Sequence, residues 1–510
     1  MAMKHPNGRL SLRALAGLGL AALTTIAVAA CSGPADPGTD EPTTFTMATS
    51  SSGLAPDFSN YSALQLFAAF QAVYDYPMHF DPATQELEPW MVTDWSYDDS
   101  RTTLTMNIRD DMVFSNGDPV TAADLKANFD QRVALMDGGF NYTNIVSIEA
   151  PSDTQVVIQL AQPDYFFLAQ VAATHISHPS AMESKDAPLG SGPYVLDKEK
   201  TVAGSSYVFT RNPEYWNPEA FAYDEVVIKV MADVTARVNA LVSGQVDYAP
   251  IDANTAAAAE ERGFEVFRNY ATSATLLIFD RAGTLVPALG DPAVRRALQY
   301  AIDREAIAES IDNGDGNPQD QYFLEGQPWY VEDAGEYTYD PEKAKQLLAE
   351  AGYPDGFVIG DVPSLWFPEY EPAVEQYLAD VGVTINFVTG PLEDSVPGLL
   401  AGEVPTVVWN NGVWLPSNEL LPTGVWNPLR YTNPDVDGFL ERINGGTPEE
   451  AAAANAEFGQ YIYDNAWAIQ IAHPASYFAA DASKVDVSLA GLQAFSGFDG
   501  IYLWDVKPAG

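Results

Sequence analysis

One thiol, a handful of histidines and a cluster of tryptophans are the side chains of this sequence best suited to chemistry. Cys31 is the single cysteine of 510 residues, which excludes an internal disulfide, a multi-cysteine zinc site and a Cys-x-x-Cys redox centre. Beyond residue 30 the histidines are His79, His175, His178 and His473. His175-x-x-His178 has the spacing of a helical ligand pair, but Pro179 biases His178 away from helix, so both read as satisfied core or surface histidines. Asp312-Asn313-Gly314-Asp315-Gly316-Asn317 is calcium-like in composition. It lacks the Gly required at position six of an Asp-led loop and reads as the loop after a helix that follows Asp303. Neither a metal nor another cofactor is expected. Gly-x-Ser-x-Gly and His-Glu-x-x-His do not occur, and Gly190-Ser191-Gly192 lacks the Lys-Ser/Thr ending of a phosphate cradle. With 70 Asp+Glu, chance carboxylate pairs carry no catalytic reading. No catalytic residue is assigned, and the chain is not expected to be an enzyme.

The surroundings of Cys31 give the thiol a use. Lys4, Arg9 and Arg13 precede an apolar run over residues 14–30 with no acid among them, the order of a secretory leader. The run ends in Val28-Ala29-Ala30-Cys31, which resembles a bacterial lipobox. Cleavage there would leave Cys31 to carry acyl chains, and two or more such chains hold a protein on a membrane. Residues 31–44, with Pro34, Pro37, Gly38 and Pro42, are too polar and Pro/Gly-rich to pack and read as a leash. The expected location is extracytoplasmic, lipid-anchored to the outer face of the cell membrane.

The rest of the chain must supply a folded body. Hydrophobic residues at 47% and charged ones at 19% are globular values, and the length exceeds one ordinary core, so at least two lobes are expected. The formal charge is −45, and loss of Lys4, Arg9 and Arg13 with the leader takes it to −48. That excludes a basic nucleic-acid surface. Strand signals at Leu104/Met106/Ile108, Val156/Ile158/Leu160 and Val226/Ile228/Val230 alternate with capped helices, which gives the α/β class. Helices are predicted to open at Thr121, with Asp124 three residues on, and at Thr235, stopping at Gly244. Others open at Asp291-Pro292, at Asp340-Pro341 and at Thr447-Pro448-Glu449-Glu450. Arg295 and Arg296 fall in the first turns of one of these and read as surface or interlobe residues. Asn116-Gly117 reads as a turn, and the Gly190-Ser191-Gly192 glycines as positions of positive φ or close approach.

The stretch from Leu87-Glu88-Pro89-Trp90 to Phe129 resembles the signature region of the family 5 extracellular solute-binding proteins, the peptide- and nickel-type receptors of ABC importers. Arg109-Asp110, Phe114-Ser115-Asn116-Gly117 and Pro119 to Asp124 follow in the family's order. So do Gly190-Ser191-Gly192-Pro193-Tyr194, Arg211-Asn212-Pro213-Glu214-Tyr215-Trp216, Leu241 to Asp247, Val294 to Leu298 and Tyr339-Asp340-Pro341. The resemblance implies a two-lobe clamp with an α/β subdomain inserted in the first lobe. Lobe I would take residues 45–85, 190–285 and 485–510, the inserted subdomain 86–189 and lobe II 286–484, after the leader 1–30 and linker 31–44. It also implies a monomeric receptor whose partners are a small solute and the permease and ATPase subunits of an importer.

In peptide-binding members of that family, a Trp-x-x-Asp segment of the second lobe pairs its aspartate with the ligand's α-ammonium. The corresponding stretch here is Trp409-Asn410-Asn411-Gly412-Val413-Trp414-Leu415-Pro416, with Gly412 where the aspartate is expected. Asn410 or Asn411 can accept a hydrogen bond but not the charge-assisted one, and Glu419 is the nearby acid that can substitute. Trp409, Trp414 and Trp426 fall within 18 residues. Their faces suit sugar rings, cations or peptide side chains, or packing between strands. Tyr74, Tyr76 and Phe80 stand where the family's first lobe approaches the cleft. Trp409, Asn410, Asn411, Gly412, Trp414 and Tyr74 are therefore the candidate solute-binding residues. An oligopeptide is the first expectation for the ligand and an oligosaccharide the second. An extracellular hydrolase is the alternative of another class.

Overall fold

The computed structural model describes residues 43–49, 67–81, 86–135, 144–184, 186–270, 272–325, 329–411, 417–424, 426–487 and 501–509. All of them belong to one compact unit, Pro42–Gly510. Cys31, Gly412 and Trp414 lie outside the described residues, as does the side chain of Asn411.

A seven-stranded sheet runs in the order Glu265–Asn269, Ser476–Ala480, Tyr248–Ile251, Thr44–Thr49, Glu225–Val230, Ser206–Arg211, Tyr194–Leu196. Thr44–Thr49 pairs parallel with both of its neighbours, and the remaining pairs are antiparallel. Alternation along a strand sends successive side chains to opposite faces. Accordingly Phe45, Met47, Tyr248 and Phe478 enter one buried cluster. Ala48, Ala249 and Tyr477 enter another, with the helices Val234–Val242 and Ala253–Glu260. The helix predicted from Thr235 starts at Val234 because Asp233 supplies the cap, its Oδ1 accepting from Ala236 N–H at 2.7 Å. It stops as expected, with Gly244 at φ 68°.

The predicted strands around Leu104 and Val156 form the centre of a four-stranded antiparallel sheet, ordered Val92–Tyr97, Thr103–Ile108, Gln155–Leu160, Ile145–Ser152. Their alternating residues are buried beneath the helix Ala122–Leu135. Asp124 Oδ2 accepts from Thr121 N–H at 2.8 Å and from its hydroxyl at 2.7 Å, closing that helix start.

A third, antiparallel sheet orders Thr406–Asn411, Ser273–Ile278, Ala468–Ala472. Three helices packed around it begin where the sequence places their caps: Pro292–Ala301 after Asp291, Pro341–Glu350 after Asp340 and Pro448–Asp464 after Thr447. At the last, Thr447 and Glu450 cap one another reciprocally, at 2.8 and 3.2 Å. Arg295 corrects the sequence reading. It is 1% exposed, donating to Leu289 O at 2.7 Å and to Asn465 O at 2.8 Å. The second acceptor is a carbonyl left over at a helix C-terminus, which draws the guanidinium inward.

The chain leaves the seven-stranded sheet after Asn269 and enters the three-stranded one at Ser273, and it returns between Ala472 and Ser476. Ser273–Ile278 thus pairs within the three-stranded sheet and Ser476–Ala480 within the seven-stranded one. His473 pins the crossings together: its Nδ1 lies 3.3 Å from Thr272 O and its Nε2 2.9 Å from Gln321 O. It is fully buried, and burial pushes it down to about 4.

Candidate functional site

The matched motifs converge on a joint between the seven- and four-stranded sheets. Asp75, between the helix Phe67–Val73 and the strand Met78–Asp81, is 2% exposed. Its carboxylate accepts from Trp90 Nε1 at 2.9 Å, Tyr215 O–H at 3.0 Å and Trp216 Nε1 at 3.3 Å. Burial pushes it up to about 6, against the pull of those donors. The Arg109 guanidinium lies 3.5 Å over the Trp216 ring. Gly190 and Gly192 are not at positive φ; they are close-approach positions. A Cβ on Gly190 would sit 1.9 Å from Val73 O. Asn116-Gly117 is a turn as read, with Gly117 at φ 90°. Tyr74 belongs to this joint. It is 1% exposed and stacks on His175 at 4.9 Å. His178, extended as Pro179 requires, caps the short turn that follows.

The strand Thr406–Asn411 divides the other candidates between its two faces. Trp409 faces inward, 6% exposed, against Phe279 and Trp426 at 6.1 and 5.4 Å. On the same side Glu419 is 7% exposed, accepts from the Tyr322 hydroxyl and is pushed by burial up to about 7. Tyr322 and, more weakly, the Trp409 indole pull it partway back, although Trp409 Nε1 makes no hydrogen bond of good geometry. Glu419 therefore points into the core and not toward an open anchor position.

Asn410 faces the other way, into a cavity of ≈ 410 Å³ that reaches from the seven-stranded sheet across the second crossing to the third sheet. Its volume falls within the range of small-ligand sites. Arg237 lines it with its bonded donors committed: Nε to Pro250 O at 2.6 Å and Nη1 to Met231 O at 2.7 Å. Asp312 accepts from the Tyr370 hydroxyl through Oδ1, while its buried Oδ2 and the buried Asn410 Oδ1 have no hydrogen-bond donor. Burial pushes the Asp312 carboxyl up, and nearby Glu369 pushes it the same way. Two unfilled acceptors and two acids make a wall that takes N–H or O–H donors. Aromatic rings of Phe367, Tyr370 and Tyr477 complete the lining. The sequence flagged the Asp312 loop only as a failed calcium site. Its role in the cavity depends on a long-range approach of the segment 367–370 that no local pattern announces. Among the described residues no group of three or more His, Cys, Asp or Glu is placed to hold a metal ion, and no helix is long and apolar enough to cross a membrane.

The profile of the bacterial extracellular solute-binding proteins, family 5 (middle region), matches residues 86–432. Heme-binding protein A of Haemophilus influenzae is 28% identical over 493 residues, covering 85% of this chain and 87% of that protein. The glutathione-binding protein GsiB of Escherichia coli O1:K1 is 28% identical over 407 residues, covering 70% and 74%. The periplasmic binding protein DppA from Helicobacter pylori, solved with the peptide STSA, superposes with a TM-score of 0.73 at 20% identity, covering 92% of this chain and 98% of that one. At that identity the likeness concerns the two-lobe fold.

Proposed function

This chain belongs to the family 5 bacterial extracellular solute-binding proteins, which serve ABC importers, and from that premise we propose that it captures an oligopeptide between its lobes for delivery to the permease. Proteins of this family bind solutes for transport and are not enzymes. The observation that carries the peptide reading is the acidic wall of the interlobe cavity, where Asp312 Oδ2 and Asn410 Oδ1 await donors. A peptide brings backbone N–H groups and an α-ammonium, so Asp312 and Glu369 would supply the charge-assisted partner missing at Gly412. The peptide held by DppA and the glutathione named for GsiB support this choice within a family that also has a heme-binding relative. Trp426, partly buried against Trp409, favours an oligosaccharide as the second reading.

A thermal-shift panel separates the two, because ligand at 100 times its Kd stabilises by about 2.7 kcal/mol. Peptides with a free N-terminus should shift the protein, and Asp312→Asn should reduce that shift. No shift with any peptide beside a clear shift with an oligosaccharide refutes the reading. The proposal includes lobe boundaries at the crossings, between Asn269 and Ser273 and between Ala472 and Ser476, and tethering through acylated Cys31. Metabolic labelling with a radioactive fatty acid should mark the wild type and leave Cys31→Ser unlabelled and shed; equal labelling excludes the anchor.

A further inference from the structure

Away from the hinge crossings, the four-stranded sheet touches the third-sheet lobe at a second place. The helix Pro434–Gly445 ends there with carbonyls that have no intrahelical partner. Asn444, in its last turn, accepts from Tyr165 N–H through Oδ1 at 3.0 Å, and its backbone oxygen lies 3.5 Å from Arg101 Nη1. A cation at a helix C-terminus also complements the macrodipole. Beside these contacts the Phe166 ring meets Trp329 edge-on at 5.4 Å and packs against the lobe's buried cluster. Trp329 is a prepared socket: its Nε1 donates to Asn455 Oδ1 at 2.8 Å, and its backbone lies where a Cβ on Gly459 would reach within 2.5 Å of Trp329 O.

Arg101 reaches this contact from a strained position. It sits at φ 54° in the turn between Val92–Tyr97 and Thr103–Ile108, a conformation that glycine adopts more cheaply. Asp98 Oδ1 holds the turn by accepting from Thr102 and Thr103 N–H, each at 2.9 Å. The turn thus closes without help from the guanidinium, which is left for the far lobe. None of Arg101, Phe166, Trp329 and Asn444 lines the hinge cavity.

We propose that Arg101, Phe166 and Asn444 form a latch that holds the inserted subdomain on the second lobe, so that these positioning residues set the fraction of closed molecules and, through it, solute affinity. Closure then has a part independent of the solute, and any change in the closed fraction passes directly into apparent affinity. The inference rests on the reading of the chain as a two-lobe receptor.

The test uses the full chain without solute, in a Cys31→Ser background, with spin labels on Val146→Cys and Val388→Cys, which are 64% and 50% exposed. The parent should show a short-distance population that Phe166→Ala with Asn444→Ala lowers about tenfold, from one hydrogen bond and one aromatic pair. Arg101→Gly should also lower it while leaving the thermal midpoint unchanged or higher, because glycine suits φ 54°. A purely structural role would move the midpoint and not the distances. Distance distributions that are the same in parent and variants, whether open or closed, overturn the latch. A peptide panel without shifts, beside variants that open, overturns the peptide reading and leaves the latch standing.

Discussion

Replacing Glu419 by glutamine removes one ionisation from a lobe core while keeping the side chain's size. In the wild type the carboxylate is 7% exposed and accepts from the Tyr322 hydroxyl, and burial lifts it from an ordinary 4.5 to about 7. Between those values the folded chain keeps a proton that the unfolded chain has released. Its contribution to stability is therefore complete below pH 4.5 and drains away as pH rises through about 7. The loss is about 3 kcal/mol, at about 1.4 kcal/mol for each unit of difference. Glutamine still accepts from Tyr322 but leaves an amide N–H₂ to be satisfied, a cost that does not vary with pH. Comparing the pH dependences of the two proteins cancels that cost. Urea unfolding followed by tryptophan fluorescence, at pH 4.5 and pH 8, reads the difference. The variant should lose about 3 kcal/mol less than the wild type across that interval. Equal losses would mean that the Glu419 carboxylate ionises as if in water, and the core placement would be refuted.

Asp75→Ala leaves the buried Tyr215 hydroxyl and the partly buried indoles of Trp90 and Trp216 without their acceptor and should destabilise by about 3 kcal/mol, read as a lower denaturation midpoint; a loss near zero would remove the joint described around Trp90 and Trp216. His473, held neutral and pushed down to about 4, has the opposite sign to Glu419. Its stabilisation is present above pH 6.5 and is lost as pH falls through about 4, so His473→Gln should flatten the acid limb of a stability–pH profile by about 3 kcal/mol. An unchanged acid limb counts against the pinned crossing. Trp409→Ala removes a ring packed against Phe279 and Trp426 and should cost about 3–5 kcal/mol of stability, and calorimetry showing an unaltered midpoint would place its ring at the surface.

The helix starts at Asp291, Asp340 and Thr447 were legible because a cap is a contact within three residues, written in adjacent letters. The same locality made Asn116-Gly117 and the alternating strands readable. The matched motifs were legible as a set, yet their meeting at Asp75 was not, since Asp75 itself is bracketed by no pattern. What the sequence could not carry was direction. Glu419 looks like a spare ligand anchor and Arg295 like a surface charge until Tyr322 and the carbonyls of Leu289 and Asn465 arrive from distant segments. A one-residue step along a strand likewise sends Trp409 to the core and Asn410 to the cavity. Where the chain crosses between sheets was hidden for a related reason: a strand belongs to whichever sheet pairs with it, and pairing is settled far along the chain.

The way this protein holds its inner charges bears on how it meets salt. Among the described residues five arginines and five carboxylates are buried, so the interior is balanced in number. Yet Arg237, Arg281, Arg295 and Arg304 bond to backbone carbonyls, Asp75 rests on aromatic N–H and O–H groups, and Asp247 alone of these carboxylates faces a lysine, Lys484 at 2.9 Å. Fixed dipoles solvate those four arginines and Asp75, out of reach of the ionic atmosphere. Among the described residues the excess of acids over bases is consequently carried outside that buried set. Raising ionic strength from about 0.15 to 1 M shortens the Debye length from about 8 to 3 Å, relieving repulsion over the exterior while leaving the interior as it was. The protein should behave in brine as a polyanion wrapped around a salt-indifferent core.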